Sequence, residues 1–450
     1  MARARAKTSA ATDASPRFLE RINSRISQIG RSLKRGSVGL GRTFERYRSA
    51  RKSLRSSISA QSRRGFDWTN FFLADVQTGF GAFVAFYLAD LRWTKEQVGV
   101  ALTVGTLAAV VSQIPGGALV DAMPWKRALL AVGISMICAS ALILALVPTF
   151  VLVFAAEVLH GLSAGLITPA IGAISLGLVG RRAMSTRTGR NYRFEAAGDA
   201  LTAGCMGLAG QYFSNKAALC IPALIALSRV RGDEIDYARA RNADKGERAR
   251  NYHRIFEIGK SRKLYVFTAC VFFFQLADAS MLPVVGENLV QSKAPSASLM
   301  MASLIVIPQI LVAILSPWVG YHSEKWGRKP LLLLGFGLET ARAILFAFSG
   351  SVPVLLIAQL LGGMSAAAIT VLTVLIVTDM TTGTGRFNLV RGFVGTLVAV
   401  AASISTAASG FIFDALGQWE GFLSLVIVSV VATALVWMAM PETKPAEYLD

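Results

Sequence analysis

Asp75 and Asp278 each interrupt a long apolar run, in the matching settings Leu73-Ala74-Asp75 and Leu276-Ala277-Asp278. A carboxylate costs about 2.5–3.5 kcal/mol at the centre of a membrane helix. Two of them at equivalent positions predict a shared wet cavity, away from lipid. Glu157 and His160, three apart in EVLHG, fall on one helical face. A carboxylate–imidazole pair at such depth could take up and release a proton, or pack one helix on another through a hydrogen bond. Glu195 and Asp199 are four apart behind Arg190 and Arg193. Glu195 is expected to pair with those arginines, and the deeper Asp199 to line the cavity. Glu339 and Arg342, three apart, are expected to neutralise each other. Asp75, Asp278, Glu157, His160 and Asp199 are therefore the candidates for handling substrate and protons.

The elements that must position them are membrane helices. The 450 residues are 53% hydrophobic and only 16% charged, with a mean hydropathy of +0.51. Apolar runs of about 20 residues recur from Phe66 to Met440, each long enough to cross a hydrocarbon core of roughly 30 Å. The pattern predicts an all-α membrane protein of twelve helices, near 67–90, 97–120, 128–147, 150–178, 190–213, 216–230, 264–286, 298–320, 331–349, 352–378, 388–414 and 421–440. Four cysteines inside apolar segments, without metal spacing, read as small packed residues. Residues 1–65 form a basic tail, 66–230 a first six-helix bundle, 231–263 a charged linker, 264–440 a second bundle, and 441–450 a short tail. Lys and Arg gather on the side that holds both tails and the linker, while Arg92, Lys95, Lys216 and Lys293 alone mark the other. The positive-inside rule then places both termini in the cytoplasm, the chain being expected in the cell inner membrane.

An internal repeat relates the two bundles. GALVDAMPWK closes the second helix and GYHSEKWGRK the eighth, at an offset of 203 that also carries Asp75 onto Asp278. Gly161 meets Gly363, and Thr188-Gly189-Arg190 is expected to meet Thr384-Gly385-Arg386 with some drift in the offset. Two parallel six-helix repeats place a site near the midplane between them. These loops, the helix number and the repeat resemble the major facilitator superfamily over residues 66–440. Its loop pattern, Gly-x-x-x-Asp-x-x-Gly-Arg-Lys/Arg, is kept by Gly117, Asp121, Lys126 and Arg127 in the first copy, where Pro124 and Trp125 replace Gly-Arg. The second copy keeps it except for Glu324 in place of Asp, with Arg328 and Lys329. Asp121 and Glu324 are expected to hold a cytoplasmic gate with these basic residues, and Asp379, beside Arg386 and Arg391, to serve the same end.

The resemblance implies secondary transport by rocking of two halves. Many proton-coupled members carry Arg-x-x-Gln-Gly where this chain has Glu157 and His160, so the role of that arginine does not carry over. The Gly-Pro signature of many antiporters is also missing from helix five. The reading is a proton-coupled transporter of a small organic solute working by alternating access, with efflux ahead of nutrient uptake, and a non-transporting receptor of the same fold as the different class. Several acids and a single intramembrane base, Arg342, favour a cationic, zwitterionic or neutral solute. No Walker loop, HExxH, GxSxG or cysteine cluster is present, so no enzyme, cofactor or metal is expected. The tail alternates Phe18, Ile22, Ile26, Ile29 and Leu33 with arginines and lysines, which predicts a helix on the anionic inner leaflet and no nucleic-acid partner. A monomer is expected.

Overall fold

Thr94 shows why the second helix begins where it does. Its hydroxyl accepts the Gln97 N–H at 3.2 Å while the Gln97 amide accepts the Thr94 N–H at 3.1 Å, a reciprocal capping box. Ser261 and Asp236 open later helices with one-way side-chain caps, accepting from the first-turn N–H groups. The computed structural model describes residues 59–78, 88, 92–146, 149–209, 215–243, 261–285 and 297–445. These belong to the compact unit Ser53–Pro445. The basic tail before residue 59, and the helix expected within it, lie outside the described residues.

Among the described residues, twelve long helices follow one another: α1 (Ala60–Thr78), α2 (Lys95–Ala122), α3 (Lys126–Leu146), α4 (Phe150–Val179), α5 (Met184–Ala209), α6 (Asn215–Ser228), α7 (Arg262–Asp278), α8 (Ala297–Trp326), α9 (Arg328–Phe348), α10 (Val352–Met380), α11 (Phe387–Leu416) and α12 (Gln418–Ala439). Nine helices among the described residues are long and apolar enough to cross a membrane, namely α2 to α4 and α7 to α12. Of the other three, the described part of α1 carries Arg63, Arg64 and Asp67, that of α5 carries three arginines with Glu195 and Asp199, and that of α6 is 14 residues long. Helix α1 begins at Ala60, seven residues before the apolar run suggested. Its polar first turn docks on the linker, where Ser59 N–H reaches Glu234 at 3.1 Å and Arg231 N–H reaches Ser62 at 2.9 Å.

The pairings repeat under a shift of six helices. α1 packs on α5 and α6 as α7 packs on α11 and α12, and α4 receives α2 and α3 as α10 receives α8 and α9. Small residues make this close approach possible. A Cβ on Gly133 of α3 would meet Ile167, and one on Gly335 of α9 would meet Ile369; a Cβ on Gly161 would meet Gly105 and Ala109, and one on Gly363 would meet Pro308 and Leu311. The largest contacts between the halves are α2 with α11 and α5 with α8, flanked by smaller ones of α4 with α11 and α5 with α10. The two largest are related by an offset of 203, one more than the 202 that separates Gly133 from Gly335 and Gly161 from Gly363. Gly117 lies against the Asn388 carbonyl and Gly320 against that of Ser185; Gly392 lies against Gln113 and Gly189 against Ser316.

That register corrects one expectation. Gly189 corresponds to Gly392 and not to Gly385. The tripeptide Thr188-Gly189-Arg190 is inside α5, whereas Thr384-Gly385-Arg386 forms the turn before α11, with Gly385 at φ +66°. Two similar tripeptides serve different local structures, and the offset does not drift here.

Candidate functional site

Asp121, the last acid of α2, lies under α11 at the end of the bundle that also holds the linker. Its carboxylate accepts from Asn388 Nδ2 at 2.8 Å, Leu389 N–H at 2.8 Å and Asn388 N–H at 3.3 Å. A helix N-terminus leaves such donors unsatisfied and carries partial positive charge, so an acid from the other half is a suitable cap. Lys126, almost wholly buried, turns back to donate to the Val120 carbonyl. Arg127 donates to the Val230 carbonyl just beyond α6 at 2.7 Å, and Lys329 to the Trp437 carbonyl near the end of α12 at 2.9 Å. Cations at helix C-termini are the complementary use of the same dipole.

The second copy of the loop spends its charges differently. Glu324 does not cap α5. It pairs with Arg328 at 2.9 Å, and Arg328 also holds Asp379 at 3.0 Å and the Ser323 carbonyl at 2.7 Å. Asp379 thus pairs with the loop arginine, where the sequence suggested Arg386 and Arg391. Glu442, from the chain after α12, accepts the Arg328 and Lys329 N–H groups at 2.9 and 3.1 Å and so caps α9.

A third joint was not legible in the sequence. The linker crosses beneath both halves before leaving the described residues. Asp236 N–H bonds the Gly177 carbonyl at 3.1 Å, and a one-turn helix, Tyr237–Ala240, packs on α4. Asn242 follows, buried and left-handed at φ +61°. It accepts from Arg181 of the first half and donates to the Thr378 carbonyl at 2.8 Å and the Thr381 hydroxyl at 3.1 Å in the second. Asn388 adds a bond to the Ala240 carbonyl at 3.2 Å. An asparagine inside a charged linker reads as loop. Only its tolerance of positive φ hinted at a fixed position.

Deeper in the bundle, the acids separate into distinct settings. Asp75 lies on α1, sixteen residues into the helix counted from Ala60; its side chain is outside the described set. Glu157 of α4 is buried, and no hydrogen-bond donor among the described residues reaches its Oε1. Its other oxygen fits against Gly105 of α2, where any Cβ would overlap it. His160 is half-buried one turn further, its carbonyl accepting from Ser163 at 2.6 Å. Asp199 is half-buried on α5 and electrostatically close to Glu195.

Glu195 is not held by the arginines behind it. Arg190 bonds Asp67 of α1 through Nε at 2.9 Å, with Arg187 on the same carboxylate at 2.9 Å, and Arg193 reaches the Ala313 carbonyl at 3.2 Å. Glu195 faces Arg391, which comes from α11 across the joint between halves and passes over Gly172 to meet Tyr192. Asp278 pairs with Arg342 of α9 at 2.5 Å, and the same guanidinium nitrogen holds Glu339 at 2.8 Å. Asp67 escaped the sequence reading, and Arg391 was placed there beside Asp379, because their partners lie on other helices, set by rotation about the helix axis.

Two six-helix halves joined at α2–α11 and α5–α8, with an acidic cap from one half on a helix of the other, define the architecture well enough for comparison. The Major Facilitator Superfamily model matches residues 68–230 and 267–449. The chain belongs to that superfamily. An uncharacterised MFS-type transporter of Mycobacterium tuberculosis is 34% identical over 396 residues, covering 86% of this chain and 95% of that protein. Multidrug resistance protein 2 of Bacillus subtilis is 27% identical over 138 residues, 31% of this chain and 34% of that one. Among solved structures, the human organic anion transporter MFSD10 (TETRAN) superposes with a TM-score of 0.61 at 14% identity, over 84% of this chain and all of that chain. At that identity the likeness speaks for the fold. As a superfamily member this is a multi-pass membrane transporter of small molecules.

Proposed function

We propose that the chain exports a small organic solute across the cytoplasmic membrane in exchange for protons, by alternating access of halves 66–230 and 264–440, with both termini in the cytoplasm. The observation that carries the proton is Glu157. A carboxylate buried in a membrane helix, with an oxygen that no described donor reaches, is costly as an ion. A proton is the smallest partner that removes the charge, and access alternating between the two sides supplies and withdraws it. Asp75 and Asp278, equivalent under the repeat, are assigned to the cavity between the halves. The linker-end loops hold the gate through Gly117, Asp121, Lys126, Arg127, Glu324, Arg328, Lys329 and Asp379. The described state, joined at the linker end, is then the outward-facing one.

Export is favoured by two partial matches whose names describe resistance, the Bacillus subtilis protein and a chloramphenicol resistance protein of Pseudomonas aeruginosa, 27% identical over 125 residues. The test is proton movement in vesicles reconstituted with purified protein, challenged with cationic, neutral and anionic solutes under a clamped membrane potential. Solute-dependent proton flux is expected in the wild type and a loss of about a hundredfold or more in Glu157→Gln, the range by which removing a positioned proton-transfer group slows catalysis. Solute transport without any proton flux, unchanged in Glu157→Gln, refutes the coupling.

A further inference from the structure

Three charges meet where α7, α9 and α10 come together, and they do not balance. Asp278 and Glu339 are both acidic, and Arg342 is the one base between them. The arginine reaches this place through a gap in α10. A Cβ on Gly362 would lie 2.9 Å from both Arg342 Cδ and Nε. The guanidinium then stands over the Phe346 ring, 5.4 Å from its centroid.

The three groups differ in access. The side chains of Glu339 and Arg342 are 2% and 7% exposed, while that of Asp278 is 33% exposed. They also differ in how firmly they are held. Arg342 Nη1 serves both carboxylates, and Nε has no hydrogen-bond partner among the described residues. A bidentate fork is the strong form of an arginine–carboxylate pair. Here one nitrogen is shared, so Asp278 has half a partner and Glu339, three residues away on the same helix, keeps the other half.

We infer that Arg342 is a built-in counter-ion for Asp278, occupying the carboxylate until an organic cation displaces it, and that the Asp278–Arg342–Glu339 cluster is the recognition site for the cationic part of the solute. The inference rests on the transport reading above and narrows its substrate class. With both carboxylates ionised the cluster carries one negative charge in excess, and the exposed carboxylate is where a positive charge arrives. On displacement the guanidinium retains Glu339, so it is never left without a partner. Arg342 acts through Asp278 and is a positioning residue. Gly362 is the space that lets it do so.

The experiment is equilibrium binding of tetraphenylphosphonium to the purified full-length protein in detergent at fixed pH, with thermal unfolding as a folding control. Wild type is expected to bind saturably and Asp278→Asn to lose that binding. Arg342→Gln removes the competitor and is expected to bind about tenfold more tightly, within the range measured for removing a close charge partner. Arg342→Lys keeps a cation at the site without the planar fork and is expected to bind less tightly than Arg342→Gln. The double variant Asp278→Asn/Arg342→Gln should lose binding again. Gly362→Ala pushes the guanidinium aside without changing any charge, and should tighten binding as Arg342→Gln does. It decides the matter if Arg342→Gln does not fold. Affinity unchanged in Arg342→Gln or Gly362→Ala overturns the inference, as does wild-type binding in Asp278→Asn or no binding in wild type. Cation binding with these dependencies in a protein that moves no protons removes the coupling and leaves the cation site standing.

Discussion

Asp121 concentrates the logic of the linker end in one side chain. It is buried in α2, yet its hydrogen bonds all go to the first residues of α11. Losing a helix cap costs about 0.5–2 kcal/mol. Asp121→Ala should therefore weaken the joined state by about that much, read as faster alkylation of a single reporter cysteine placed on the linker face of α11. Reactivity equal to the parent would mean the cap does not hold the halves together. Residue identity made Asp121 legible, because the loop pattern singles it out. Arg342 shows the opposite case. Its partner Glu339 was visible three residues away, but Asp278 lies sixty-four positions earlier on a different helix, and spacing carries no information about how α7 and α9 are rotated.

At the scale of elements, the same problem of unsatisfied helix ends is solved twice by different means. α11 is capped by a carboxylate from the other half, and α9 by Glu442 from the chain after α12. Burial alone would raise the Glu442 carboxyl, but the N–H groups of Lys444, Arg328, Lys329 and Thr443 outweigh it and bring it below its ordinary value. A depressed carboxyl contributes stability above the pKa it has in the unfolded chain, and loses that contribution as pH falls through its lower folded value. Wild type should therefore melt at a higher temperature than Glu442→Gln at pH 7, with the gap closing below the ordinary glutamate range. A gap that stays constant down to low pH would show that the carboxylate's charge is not what stabilises α9. Helix identity was largely legible, since length and hydropathy depend on local sequence. The early start of α1 was not, because its polar first turn is held by the linker.

For the whole molecule, the α2–α11 and α5–α8 joints form one pattern used twice. Gly117 meets Asn388 and Gly320 meets Ser185; Gly392 meets Gln113 and Gly189 meets Ser316. The arrangement is that of a two-fold dimer interface written into one chain. The repeat was legible as an offset of 203, but the contacts were not, since they required knowing that α2 faces α11. These are contacts between glycines and main-chain atoms, so a branched side chain at either copy should separate the halves at the linker end. Gly117→Val and Gly320→Val are each expected to increase tryptic cleavage after Arg241. Protection equal to wild type in both variants would refute the joint's role in closure.

Asn242 has a consequence in time as well as in space. The ribosome finishes the first six helices and the linker strap before it begins α7, and domains generally fold in order of synthesis. The strap can already dock on Gly177 and Arg181, which belong to the half just made. Its amide then waits for the Thr378 carbonyl and the Thr381 hydroxyl, groups that arrive only at the end of the tenth helix. The first half thus carries a template for the second, and a chain interrupted before residue 378 leaves that template unfilled.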